Sequence, residues 1–160
     1  MTCNGVQTPL NRYRGNQGLA FDNAVGNNTG ASPNDVNDVD EGGNRLQNFP
    51  DITLPAAGSN SLSYRVDTAV TNASYPITVN FYRAGCGGGS DALVTSATIT
   101  AAQAQQTMML DTSALSLLPL TATAVDAAGN TSEFAPTQGE EIFRAGFEDV
   151  LASITVGICR

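Results

Sequence analysis

The amino-acid sequence predicts an all-β fold, a sandwich of antiparallel strands, on three observations. From Phe49 onward, short segments alternate apolar and polar residues with a period of two. Gly, Asn, Asp and Pro separate these segments, as turns separate strands. β-Branched residues are frequent in these segments, which lowers their propensity for helix.

The first three predicted strands are FPDITLPA (49–56), SLSYRVD (61–67) and PITVNFYR (76–83). In the second, Leu62, Tyr64 and Val66 share one face, which should therefore lie on the core. In the third, the same pattern places Ile77, Val79 and Phe81 inward and Thr78, Asn80 and Tyr82 outward.

Four further segments complete a set of about seven strands, a number typical of an immunoglobulin-like sandwich. They are ALVTSATIT (92–100), QQTMMLD (105–111), LTATAVD (120–126) and a short last strand at NTSEF (130–134). The organisation that follows is a turn-rich extension over 1–33, an acidic junction over 34–48, the sandwich over 49–136 and a C-terminal tail over 137–160.

The acidic junction contains the candidate metal ligands of the chain. Its sequence, NDVNDVDEGGNRLQNFP (34–50), does not fit an EF-hand, because a loop that starts at Asp38 has Gly42 at position five and Phe49 at position twelve. A calcium site of another kind is predicted from the hard oxygen ligands of Asp35, Asp38, Asp40 and Glu41. The alternative is a solvated acidic connector without an ion.

Composition excludes several classes of function. The chain has no histidine, and its seven basic residues are all arginines, so histidine-based catalysis, histidine-ligated zinc and Schiff-base chemistry are absent. Fifteen acidic residues give a net charge of -8, which repels phosphate backbones and argues against a nucleic-acid partner. No set of residues meets the requirements of a catalytic site, and we expect a noncatalytic protein.

The chain shows no apolar run of membrane-spanning length and no signal peptide at its start. We therefore expect a C-terminal piece of a longer exported protein. Cys3, Cys86 and Cys159 allow one disulfide or three free thiols, and their spacing does not choose between these. Cys86 lies in GCGGGS (85–90), which lacks the lysine of a phosphate-binding loop and is predicted to connect two strands.

Two stretches resemble known families. LTATAVDAAGNTSEF (120–134) resembles the closing hairpin of bacterial immunoglobulin-like domains. GNQGLAFD (15–22), the acidic run and Leu-Gln-Asn-Phe-Pro (46–50) together resemble the segment that follows right-handed parallel β-helix repeats in secreted bacterial proteins. The resemblance implies a secreted or cell-surface location, calcium at a domain junction, an upstream β-helix domain and a β-helix remnant in the extension over 1–33. It also implies a disulfide from the loop of Cys86 to a cysteine just after the last strand; no cysteine follows Ala135 there, and Cys159 is the candidate replacement.

The tail contains IFRAGFE (142–148), which resembles a short motif near the C-termini of exported proteins in some Gram-negative bacteria. Its apolar spacing also fits one face of a short helix. The segment ITVGICR (154–160) fits a strand equally well.

The expected function is adhesion, ligand binding or spacing by an extracellular module, with a glycan or a surface protein as partner. The alternatives are a cap on the end of a β-helix and an accessory domain of a polysaccharide-active enzyme. A cap predicts an exposed apolar patch around Leu19, Phe21 and Val25.

Overall fold

The computed structural model of the chain describes residues 3–7, 11–13, 20–23, 31–56, 59–85, 90–113 and 119–138. Within these residues the helical segments are two 3₁₀ turns, Gly43–Leu46 and Ala101–Gln103. None of the described helices is long or apolar enough to cross a membrane. The described residues contain six strands: β1 (Asp51–Thr53), β2 (Ser61–Arg65), β3 (Ile77–Ala84), β4 (Ser90–Ile99), β5 (Met108–Asp111) and β6 (Leu120–Val125).

The strands form two antiparallel sheets with the orders β1-β2-β5 and β4-β3-β6. Each strand overlaps a segment predicted to be one, so the all-β class is confirmed, although β3 continues to Ala84 and β4 begins earlier than predicted, at Ser90. The alternation places Leu62 and Tyr64 of β2 in one core with Ile77, Val79 and Phe81 of β3. The rings of Tyr64 and Phe81 meet edge to face across the two sheets, with their centroids 5.2 Å apart. This packing of one sheet on the other is consistent with a β-sandwich.

The segment predicted as a seventh strand, 130–134, runs beside β6 without forming a regular strand. It makes one isolated bridge, between Val125 and Thr131, and Ser132 N donates to Ala124 O over 2.8 Å. The Ala124 N–H is bonded to the Ser132 hydroxyl, at 2.8 Å, instead of to a backbone carbonyl. Because a side chain takes the place of a ladder acceptor, regular pairing is interrupted at this point.

The outer face of β3 differs from the prediction. Asn80 and Tyr82, predicted to face outward into solvent, are 6% and 2% exposed. The Tyr82 ring packs edge to face on Phe134, which packs in the same way on Tyr13, with centroid separations of 5.6 and 5.7 Å. The prediction was wrong because alternation identifies the face that meets the other sheet and carries no information on what covers the opposite face.

Part of this cover comes from the start of the chain. We call the described residues 3–7, 11–13, 20–23 and 31–33 the N-terminal strap. Tyr13 N donates to Ser90 O over 2.9 Å, and Gly5 N donates to the side chain of Asn130 over 3.0 Å. The strap contains no strand in its described residues, and the β-helix remnant stays a prediction.

Candidate functional site

The acidic loop is attached to the sandwich through the loop that follows β2. Asn37 and Asp38 have φ values of 68° and 61°, a left-handed conformation that Asn and Asp adopt more readily than other non-glycine residues. This turn presents Asn37 O to two donors, Ala69 N at 3.1 Å and Asn72 Nδ2 at 2.9 Å. The acidic residues are therefore held on a folded turn.

Asp38 is the centre of the loop and is only 5% exposed. Its Oδ1 accepts a hydrogen bond from Asn48 N at 2.9 Å. Its Oδ2 accepts from Gln47 Nε2 at 2.8 Å and from Thr68 Oγ1 at 3.0 Å. The interpretation of a solvated connector is thus wrong at Asp38, although it describes the exposed residues Asp40 and Glu41.

Three carboxyl groups converge in this loop. Asp35, Asp38 and Asp40 each offer one carboxylate oxygen, and these oxygens lie within 4.8 Å of one another. The Oδ1 atom of Asp35 is buried and makes no hydrogen bond in the described part of the chain. The structure therefore brings together three of the four predicted metal ligands. The fourth, Glu41, is exposed and lies outside this group.

The surroundings of Asp38 and Asp40 disfavour the ionised form of each carboxyl group. Burial raises the pKa of Asp38 from 3.8 to about 7, hydrogen bonds from Asn48 and Thr68 act in the opposite direction, and the charges of Asp35 and Asp40 raise it further. Burial and the charge of Asp35 also raise the pKa of Asp40. A cation placed among the three oxygens would reverse this repulsion, and hard carboxylate oxygens suit Ca²⁺.

Sequence reasoning missed the amide side chains that hold the loop in place. Asn48, which is 2% exposed, donates from Nδ2 to Asp35 O at 2.8 Å and to Asp67 O at 2.7 Å, and its Oδ1 accepts from Asp35 N at 3.1 Å. Asn34 forms a similar pair of bonds with the backbone of Phe49. Asn48 lies in the Leu-Gln-Asn-Phe-Pro stretch, from which the sequence predicts only a junction.

Other predicted features lie wholly or partly outside the described residues. Cys3 is exposed and free, whereas Cys86 and Cys159 are not described, so the disulfide stays a prediction. The tail motif at 142–148 and the segment 154–160 are also not described. Of the apolar patch expected for a cap, only Phe21 is described, and it is half-buried.

The fold and the site define an all-β protein of two three-stranded antiparallel sheets, with an acidic, amide-supported loop between an N-terminal strap and the first strand. Comparison with protein-family models, with curated proteins and with solved structures gives no match for this chain.

Proposed function

We propose that this chain is a noncatalytic module of a secreted or cell-surface protein, in which Ca²⁺ bound by the acidic loop stiffens the junction between the strap and the sandwich. The observation that carries the proposal is the convergence of Asp35, Asp38 and Asp40, together with the buried and unpartnered Oδ1 of Asp35. A buried carboxylate oxygen without a donor is costly, and a cation would supply its missing partner.

The three aspartates would provide part of the six to eight oxygens that Ca²⁺ takes. Backbone carbonyls of the turn and water would complete the set. The hydrogen bonds from Gln47, Asn48 and Thr68 fix the Asp38 carboxylate, in the way that outer-shell partners orient metal ligands. Because the loop also holds Asn37 against Ala69 and Asn72, an ion in it would restrict the joint between the loop and the sandwich.

An immunoglobulin-like arrangement of the sandwich supports the role of a module. One sheet has the order β1-β2-β5, and the other has β4-β3-β6 with the segment 130–135 alongside β6. Strands one, two and five on one side, and three, six and the 130–135 segment on the other, match that fold, whereas β4 departs from its constant-type form because it pairs with β3 and not in the first sheet. Such sandwiches present loops at their ends on a rigid frame, where a glycan or a surface protein would bind and beyond which an upstream β-helix would attach.

Thermal unfolding of the whole chain in millimolar Ca²⁺ and in chelator tests the proposal. Calcium at a hundred times its dissociation constant adds about 2.7 kcal/mol of stability, which for a domain of this size is a rise in Tm of roughly 10 °C. The variant Asp40→Asn should lose most of this rise, because it removes an exposed ligand and leaves the Asp38 hydrogen bonds in place.

Glu41→Gln is the matched control, because it removes one exposed negative charge of the same loop from outside the converging group. It should keep the full calcium response. Superimposable curves for the wild type with and without Ca²⁺ would refute the calcium site, and an equal loss in both variants would indicate a general charge effect.

A further inference from the structure

A second buried carboxyl group lies away from the acidic loop, on the segment that follows β6. Glu133 is 3% exposed. Its Oε1 accepts a hydrogen bond from Asn23 N at 2.7 Å, and its Oε2 accepts a short one from Ser32 N. Both donors belong to the N-terminal strap, on either side of residues 24–30. One side chain of the sandwich therefore fastens two parts of the strap.

The surroundings of Glu133 add negative charge. The Asp22 side chain of the strap hydrogen-bonds to it, so two carboxyl groups meet at this contact. The neighbouring side chains, those of Ser32, Leu46, Gln47 and Phe49, do not ionise in the physiological range. The next acidic group is Asp38, which is reached through its hydrogen bond with Gln47.

Ionisation of Glu133 is consequently disfavoured while the strap is docked. Burial raises its pKa, the N–H groups of Ser32 and Asn23 act in the opposite direction, and the charge and hydrogen bond of Asp22 raise it further. When the strap is undocked and Glu133 is solvated, its pKa returns towards 4.5. The docked form then holds a proton that the undocked form has lost, so docking weakens as the pH rises above about 4.5.

We propose that Glu133 is a pH-sensitive latch that holds the strap on the sandwich when it is protonated and loosens it when it is ionised beside Asp22. In the protonated state the two groups share a hydrogen bond between a carboxylic acid and a carboxylate. Loss of the proton leaves a buried negative charge on Glu133 beside the exposed side chain of Asp22. The Asn23 Nδ2 bond to Thr131 O, at 2.9 Å, lies next to the latch and would open with it.

Opening the latch would also affect the aromatic contacts of the next residue. Phe134 lies between Tyr13 of the strap and Tyr82 of β3. If the strap leaves, the Phe134 and Tyr82 rings lose part of their cover. The latch thus controls access to an apolar surface on the outer face of β3.

Hydrogen exchange of the full-length chain, followed by mass spectrometry at pH 5 and pH 8, tests the latch. Protection of residues 20–23 and 31–33, corrected for intrinsic exchange, is compared with that of β3 in the same sample, which removes changes in global stability. We expect the strap to lose protection relative to β3 at pH 8, because the docked form has then lost the proton that its raised pKa favours.

Three variants identify the group responsible. Glu133→Gln cannot ionise, so the ratio of strap to β3 protection should not depend on pH, whether the strap is held tightly or weakly. Asp22→Asn removes the neighbouring charge and should reduce the wild-type response, whereas Asp51→Asn, at an exposed carboxylate of β1, should leave it unchanged. The proposal is overturned if the wild-type ratio is the same at both pH values, or if Glu133→Gln keeps the wild-type response.

Discussion

At the scale of single residues, buried asparagine side chains form hydrogen bonds to backbone groups that a neighbouring strand would form in a regular sheet. Asn44 is 1% exposed and has a left-handed φ of 49°. Its Oδ1 accepts from Val6 N at 2.8 Å, and its Nδ2 donates to Val6 O at 3.0 Å and to Thr131 O at 3.2 Å. One side chain therefore replaces three backbone partners and connects the strap to the end of the sandwich.

Asn44→Ala should lower the free energy of unfolding by about 2–4 kcal/mol, because it removes three hydrogen bonds that each contribute about 0.5–1.5 kcal/mol. Chemical denaturation with urea measures this loss. Asn60→Ala is the control, since Asn60 is exposed, and should change stability by less than about 0.5 kcal/mol. A loss at Asn44 no larger than at Asn60 would show that water replaces these bonds at no cost.

The candidate site was predictable at the level of residue type and only in part at the level of geometry. A run of aspartates on a turn-forming segment predicted the candidate ligands, and three of them, Asp35, Asp38 and Asp40, lie close together in the structure; whether they bind an ion stays a prediction. Burial of Asp38 depends on Gln47 and Thr68, which are 9 and 30 residues away in sequence. No local pattern specifies that kind of contact.

At the scale of elements, the period-two pattern identified all six strands and the inner faces of β2 and β3, because burial between two sheets imposes that period on the sequence. The same pattern did not predict that the outward-facing side chains of Asn80 and Tyr82 are buried. Tyr82 is covered by Phe134 of an irregular segment, which packs in turn on Tyr13 of the strap, and Asn80 Oδ1 accepts a hydrogen bond from Ser96 Oγ. The irregular segment and the strap have no periodic sequence pattern from which this cover could be predicted. The irregular course of 130–134 depends similarly on one hydroxyl, that of Ser132.

The second aromatic layer should make a measurable contribution to stability. Phe134→Ala removes a ring that is 5% exposed and contacts both Tyr13 and Tyr82. We expect the free energy of unfolding to fall by about 3–5 kcal/mol, as for other buried phenylalanines. Leu93→Ala on β4, where the side chain is 39% exposed, should cost far less. Equal effects of the two substitutions in urea titrations would mean that the outer layer is not packed.

At the scale of the whole molecule, stability should fall as the pH rises from about 4 to 7. Burial raises the pKa of Asp38 from 3.8 to about 7, so in this range the folded chain keeps a proton that the unfolded chain has lost. Because the folded state binds more protons, a rise in pH destabilises it. For one group, the free energy of unfolding falls by at most about 1.4 kcal/mol per pH unit. The free energy of unfolding, measured in chelator at several pH values, should show this slope.

Asp38→Asn, which cannot ionise, should flatten the slope and leave the contributions of Asp40 and Glu133, whose pKa values are raised by burial in the same direction. A wild-type slope of opposite sign would show that the hydrogen bonds to Asp38 outweigh its burial. If the loop binds Ca²⁺, the stabilisation by calcium should be larger at pH 8 than at pH 6, because the ion and the proton compete for Asp38.

The strap also bears on the order of events during folding. Its hydrogen bonds from Gly5 to Asn130, from Asn23 to Glu133 and from Ser32 to Glu133 join residues 125, 110 and 101 positions apart. Contacts of such long range are slow to form because of the entropy of closing the intervening loop. During synthesis, Asn23 and Ser32 remain without this partner until Glu133 has left the ribosome. The sandwich should therefore fold first, and closure of the strap should be the last and slowest step to the native state.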